Sequence, residues 1–132
     1  MWVDTGTEQL VVPLASFQAV RSADPDAHEL SRIASSSTRA MAYVFAREDD
    51  HVLSRFFFLK HGAVVEDPGT GSACANLGGW LRATQARLPQ RLRVDQGEAV
   101  LRPSRLGLEV TEAGAILVSG RVVEIGRGVI TL

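Results

Sequence analysis

The chain has 132 residues, 45% of them apolar and 22% charged, with 14 basic and 15 acidic residues and a formal net charge of −1. That balance belongs to an ordinary folded chain and excludes disorder, and no apolar run reaches the roughly 18–20 residues of a membrane span. It also excludes a nucleic-acid binder that works by phosphate neutralisation, which needs a basic surplus or a basic stripe.

Val3 to Leu14 reads as a strand pair or one bent strand, interrupted at Gly6 and closed by Pro13. Ala23-Asp24-Pro25-Asp26 reads as a helix start. Asp24 is placed to cap the free amides, Pro25 suits the first helical position, and Asp26 and Glu29 suit the positive end of the dipole. That helix is expected to run to about Ala34 and to end in Ser35-Ser36-Ser37-Thr38. Arg39 to Phe45 alternates in the manner of a strand, Arg47 to Asp50 is a polar turn, and Val52 to Leu59 is a second strand, so a hairpin is expected. Lys60-His61-Gly62 turns the chain again. Glu66 to Ser72 reads as a compact loop, followed by a helix from about Ser72 to Leu88 that Pro89 stops. The first turns of that helix are apolar all round, broken only by Asn76, so it is expected to be buried on all sides. Gly78 and Gly79 cost about 1 kcal/mol each against Ala there, which suggests another backbone packed close. Leu92–Asp95, Leu106–Thr111, Ala115–Val118, Arg121–Ile125 and Val129–Leu132 follow as strands between turn signals. The expected fold class is α+β, one domain over residues 1–132. A curled, mostly antiparallel sheet wraps one buried central helix, with a second helix outside.

The chemistry concentrates in Gly69-Thr70-Gly71-Ser72 ahead of the buried helix. The first amides of a helix lack internal partners and face the positive end of its dipole. Gly69 and Gly71 allow positive φ and close approach of a ligand, and Thr70 and Ser72 add hydroxyls. The stretch suits a carboxylate or phosphate; alternatively, Thr70 or Ser72 merely caps the helix. A dinucleotide fingerprint lacks its third glycine, and a phosphate loop lacks its lysine, since Gly71 stands in that place. Asp67, just before the glycines, is a candidate acid/base group or else part of a turn-forming Asp-Pro pair. Cys74 is the only cysteine, so there is no internal disulfide framework and no thiolate zinc cluster. It reads as a small core residue. His28, His51 and His61 read as surface residues without metal-ligand spacing, and Lys60, beside thirteen arginines, as a solvated charge.

Glu66-Asp67-Pro68-Gly69-Thr70-Gly71-Ser72-Ala73, followed by Leu77 and Trp80-Leu81, resembles the signature of the phenazine-biosynthesis PhzF-like isomerase family, which shares the diaminopimelate-epimerase-like fold. Leu10 to Leu14, Arg55-Phe56-Phe57, Gln96-Gly97, Arg102-Pro103-Ser104, Val118 to Val123 and Gly128-Val129-Ile130 resemble further stretches of the family's second half. Leu101 stands where many members have Gly. The resemblance covers nearly the whole chain but only half the family's length. The family's general acid/base glutamate and its Gly-His loop belong to the first half. Glu8 and Glu29 stand in the wrong context for the glutamate, no Cys-Gly-His-Ala-Thr-like stretch is present, and Cys74 does not match the catalytic cysteine of the related epimerases.

The resemblance implies a second-half domain of a PhzF-like isomerase holding half of an interdomain active site. Asp67 would be the acidic cleft residue, and Thr70, Gly71, Ser72 and Ala73 the substrate-binding loop. The implied chemistry is proton abstraction and return on a small carboxylate substrate, with no metal and no organic cofactor. The alternative is a non-catalytic half-domain that binds a small carboxylate or a partner subunit. The expected partner is a second copy exchanging terminal strands, or a complementary first-half chain. Met1 to Gly6 shows no basic segment leading into an apolar one, so a cytoplasmic setting is expected.

Overall fold

Apolar alternation around Gly6 folds the first residues back on themselves. Trp2–Asp4 (β1) pairs antiparallel with Glu8–Pro13 (β2), and Gly6 turns at φ +133° with its amide on Asp4 Oδ1 at 2.8 Å. The computed structural model describes residues 1–33 and 40–131. Two short helices follow, Phe17–Arg21 (α1) and Ala27–Arg32 (α2). Then come Met41–Glu48 (β3), His51–Lys60 (β4), Ala63–Asp67 (β5), the helix Gly71–Ala83 (α3), Gln90–Gln96 (β6), Ser104–Val110 (β7) and Ile116–Gly120 (β8).

The strands make one eight-stranded sheet in the order β1-β2-β3-β4-β6-β7-β8, with β5 paired to β4. Two pairs are parallel, β2 with β3 and β4 with β6, and the others antiparallel. Each parallel pair needs a crossover, because parallel strands cannot be joined by a tight turn. The first crossover contains α1 and α2, the second β5 and α3. The side-chain alternation of a strand sorts them to opposite faces. Val11, Tyr43, Phe45, Val52, Phe56, Leu92, Val94, Leu108 and Val110 pack with Ala73, Cys74, Leu77 and Leu81 of α3. Leu53 and Ala46 take Val20 of α1, and Ala42 and Phe57 take Leu30 of α2. The sheet therefore curls round α3, which touches β1 and β2 at one end of the strand order and β7 and β8 at the other. Leu77 alone, 1% exposed, stabilises this arrangement by about 1.5–3 kcal/mol through burial.

One charged contact fastens the outer layer. Arg55 on β4 bonds Glu66 of β5 at 2.7 Å and the carbonyls of Val20, Arg21 and Ala23, and stacks on Phe57. It thus binds the free carbonyl end of α1 to the sheet.

Several details differ from the sequence reading. α1 is an element beyond the expected ones; Ser16 caps it by accepting from the Ala19 amide. α2 is capped by Asp26 rather than Asp24, and Pro25 precedes the cap. Its expected end at Ser35–Thr38 lies outside the described residues. Glu66 and Asp67 belong to β5, not to a loop, because they continue a ladder against Phe57 and Phe56. α3 stops at Ala83, well before Pro89. Thr84 returns its amide and hydroxyl to the Trp80 carbonyl, and Gln85 turns out at φ +57°. The neighbours of Gly78 and Gly79 are side chains, not a backbone. A Cβ at Gly78 would lie 2.7 Å from Ile116, and one at Gly79 2.7 Å from Val3. Residues 121–125 and 129–131 form no strand. They lie beyond β8 without a ladder partner, and Val122, Ile125, Val129 and Ile130 are exposed. Alternation without a neighbouring strand does not make a strand.

Candidate functional site

Among the described residues, the polar residues Gln9, Ser54, Asn76 and Gln96 are buried among the apolar ones. Gln9 continues the inward row of Val11 on β2. Gln96 continues that of Leu92 and Val94 on β6, opposite Ser54 on β4. Burial of an amide is costly unless its hydrogen bonds are made inside. Here most of them are made around the start of α3.

On one side, Gln96 holds the approach to the helix. Its Nε2 donates to the Asp67 carbonyl at 2.7 Å and to Thr70 Oγ1 at 3.0 Å, and its Oε1 accepts from the Thr70 amide at 3.2 Å. Thr70 Oγ1, receiving that bond, donates its own proton to Asp67 Oδ2 at 2.5 Å. On the other side, Asn76 Oδ1 accepts from the amide and hydroxyl of Thr5. Asn76 Nδ2 donates to the Thr7 carbonyl and to Gln9 Oε1, both at 2.8 Å. Gln9 Nε2 then donates to Ser72 Oγ at 3.1 Å.

The candidate residues are thereby brought together. Asp67 ends β5, Thr70 stands at the cap position of α3, and Gly71, Ser72 and Ala73 are its first turn. Thr70 makes no side-chain cap bond, since its hydroxyl is turned to Asp67. Among the described residues no side chain accepts from the amides of Gly71, Ser72 or Ala73. The first backbone bond of the helix is Cys74 N–H to the Thr70 carbonyl, at 3.0 Å. Nothing lies within 4 Å of the place a Cβ would take on Gly71. Gly71 and Ser72 are exposed at this helix end with open space at Gly71, and the Asp67 carboxylate is tied to Thr70 just before them, whereas Ala73 is fully buried. Such a set can hold an acceptor-only group and pass a proton beside it.

The glycines serve other purposes than positive φ, which neither Gly69 nor Gly71 adopts. Gly69 makes room for Ser104, whose Oγ would lie 2.8 Å from a Cβ. The left-handed position is Gly97, at φ +83°, wedged between Pro68 and the Arg102 carbonyl. Gln96-Gly97 is thus the floor on which Asp67-Pro68-Gly69-Thr70 rests.

Other candidates fall away from the site. Cys74 is fully buried, and desolvation pushes its thiol up to about 12, so it is a core residue. Tyr43 beside it is buried too, and burial and the neighbouring Cys74 drive its pKa upward. His28 and His61 are exposed. His51 is not a plain surface residue: its Nε2 lies 2.8 Å from Asp95 Oδ2, and its ring meets Phe17 edge-on. Partial burial works to raise the Asp95 carboxyl. Hydrogen bonds from Arg105 and His51 and the charges of Arg93 and Arg105 outweigh it and hold the carboxyl below the ordinary range. Among the described residues no helix is long and apolar enough to cross a membrane.

A family model described as phenazine biosynthesis-like protein, PhzC-PhzF, matches residues 1–128. An uncharacterised isomerase of Pasteurella multocida is 39% identical over 127 residues, 96% of this chain and 43% of its own length. One from Bacillus subtilis is 25% identical over 83% of this chain and 39% of its own. Among solved structures, a PhzF-family phenazine biosynthesis protein of Bacillus anthracis superposes with a TM-score of 0.66 at 20% identity, covering 86% of this chain and 42% of that one. A predicted epimerase of Pseudomonas aeruginosa gives 0.55 at 21% identity, covering 91% of this chain and 44% of that one. At these identities the structures speak for the fold alone. The chain spans less than half the length of these relatives.

Proposed function

The chain belongs to the phenazine biosynthesis-like (PhzC-PhzF) family of isomerases, and from that premise we propose that it supplies one wall of a cofactor-independent isomerase site. The observation that carries the reading is that Thr70, at the N-cap position of α3 but making no cap bond, turns its hydroxyl to Asp67 and leaves the helix end to the exposed Gly71 and Ser72. A small substrate carboxylate docks on the exposed amides of Gly71 and Ser72, favoured by the positive end of the helix dipole, while the expected contact at Ala73 is closed by its burial. Asp67 Oδ2 is occupied by Thr70, which leaves Oδ1 to take or return a proton. The reaction is a proton shift: a C–H bond breaks, the proton passes to a base, and a proton returns to the substrate at another place or on the opposite face. No electron is gained or lost overall.

The opposite wall, with the main acid/base group, comes from a complementary half. Loss of one placed proton-transfer group lowers rate by about 10²–10⁴-fold, and loss of half a cleft removes positioning as well. The chain alone, incubated in deuterated water with a panel of small carboxylates, should exchange no carbon-bound proton above background. Rapid exchange by the chain alone, abolished by Asp67→Asn, would point to a site made from two copies and overturn the half-site reading. Exchange indifferent to Asp67→Asn would remove Asp67 from the chemistry.

The exposed Val122, Val123, Ile125, Val129 and Ile130 favour an assembly in which residues 121–131 add to a neighbour's sheet. As the alternative to a complementary half, that neighbour is a second copy in a twofold dimer, each donating its segment. A folded monomer at all concentrations in sedimentation contradicts this.

A further inference from the structure

Ser72 can face a ligand as donor or acceptor, because a hydroxyl rotates to suit its neighbours. In this fold it is not free to choose. The Thr5 amide can only donate, so it fixes the oxygen end of Asn76, and the Thr7 carbonyl can only accept, so it fixes the nitrogen end. Asn76 Nδ2 then faces Gln9 and obliges that side chain to present Oε1 to it. Gln9 Nε2 is therefore the end that meets Ser72 Oγ. Both amides are buried, Gln9 at 2% and Asn76 at 0% exposure, so water cannot relax the order. With Gln9 donating to its oxygen rather than accepting from it, one of the two lone pairs of Ser72 is taken and its own proton is left to give.

We infer that Gln9 and Asn76 are positioning residues that hold the Ser72 hydroxyl as a donor towards the ligand, selecting an acceptor-only group over its neutral amide. The inference rests on the carboxylate-binding reading of the loop. The exposed amides of Gly71 and Ser72 and the Ser72 hydroxyl all give protons, so an incoming NH₂ group meets donors where a carboxylate oxygen meets partners. The polarity originates in two backbone groups of the β1–β2 turn and reaches the site through two side chains.

The test is a titration of the 15N-labelled chain with acetate and with acetamide, followed at the amides of Gly71, Ser72 and Ala73. The unaltered chain should bind acetate more tightly than acetamide. Gln9→Met, close in volume but unable to donate, should weaken acetate by about 3- to 10-fold and narrow the preference. In a Ser72→Ala background the same substitution should change neither, because Gln9 acts through that hydroxyl. A purely structural role would persist there. Acetate binding that Gln9→Met leaves unchanged, or weakens equally in both backgrounds, overturns the inference alone. No acetate shift in the unaltered chain overturns the reading of the loop and the inference with it. Should Gln9→Met fail to fold, Ser72→Ala provides the second measurement. It should shift the Gln9 side-chain amide signals and speed their exchange with solvent, and unmoved signals overturn the relay.

Discussion

Replacing Gln96 by Leu keeps nearly the same volume and removes three hydrogen bonds at once. They run to the Asp67 carbonyl at 2.7 Å, to Thr70 Oγ1 at 3.0 Å and from the Thr70 amide at 3.2 Å. At about 0.5–1.5 kcal/mol net each, the loss lies between about 1.5 and 4.5 kcal/mol. The partners sit on half-buried residues and can recruit water, and Leu gains apolar burial, so the lower half of that range applies. Urea unfolding should show a midpoint lower by roughly 1 M at unchanged slope, given slopes of about 1–3 kcal/mol/M for small proteins. Amide exchange adds the local readout: the Thr70 amide should exchange faster while the α3 amides beyond Leu77 keep their protection relative to global stability. Gln96→Glu should be worse at neutral pH than at acid pH, since an ionised carboxylate cannot donate to the Asp67 carbonyl. An unchanged midpoint together with an unchanged Thr70 amide would refute the claim that Gln96 holds the loop.

Two further outcomes follow from the same geometry. Gly97→Ala forces a side chain into a left-handed position 2.6 Å from the Pro68 carbonyl, and should cost more than about 1 kcal/mol and shift the Asp67 and Thr70 signals; Gly71→Ala, open on all sides, should leave stability within about 0.5 kcal/mol. Asp95 has a lowered folded pKa, so its contribution is present above the unfolded value of about 3.9 and is lost as pH falls through the folded one. Asp95→Asn should therefore cost about 1–2 kcal/mol at pH 7, with the deficit shrinking below about pH 4 in urea titrations; a deficit independent of pH would contradict this.

Much of the sheet and the central helix can be read from the chain, because burial is written in alternation. The hairpin of β3 and β4 is a case where period and burial agree; α3, expected to be buried on all sides, is buried over most of its early turns but leaves Ala75, Gly79 and Trp80 half-buried. The short α1 has only five residues, too few for a period to emerge, and its Ser16 cap is not distinctive. β5 is hidden because Glu66 and Asp67 are polar; Glu66 is bound to Arg55, a partner eleven residues away. The end of α3 was placed too late because Pro89 is the conspicuous breaker, whereas the apolar run already ends at Leu81. In the site, Asp67, Thr70, Gly71, Ser72 and Ala73 are visible as a motif. Gln9 and Gln96 are not, although each occupies an inward place in an alternating apolar strand. A polar side chain at such a place is the available signal, and Asn76 in the apolar helix is the same signal more plainly displayed. Which hydroxyl each amide meets depends on residues more than sixty positions apart for Gln9 and Ser72, and local pattern does not contain that pairing.

The central claim is that the start of α3 receives a carboxylate beside Asp67. The most direct measurement is the amide spectrum of the 15N-labelled chain titrated with acetate at pH 7, set against the same titration of Gly71→Val. Saturable shifts centred on Gly71, Ser72 and Ala73 that also reach Asp67 and Thr70 are expected. Gly71→Val should abolish them by filling the space in front of the amides, without positive-φ strain. Shifts absent from these residues, or equally present in Gly71→Val, would contradict it.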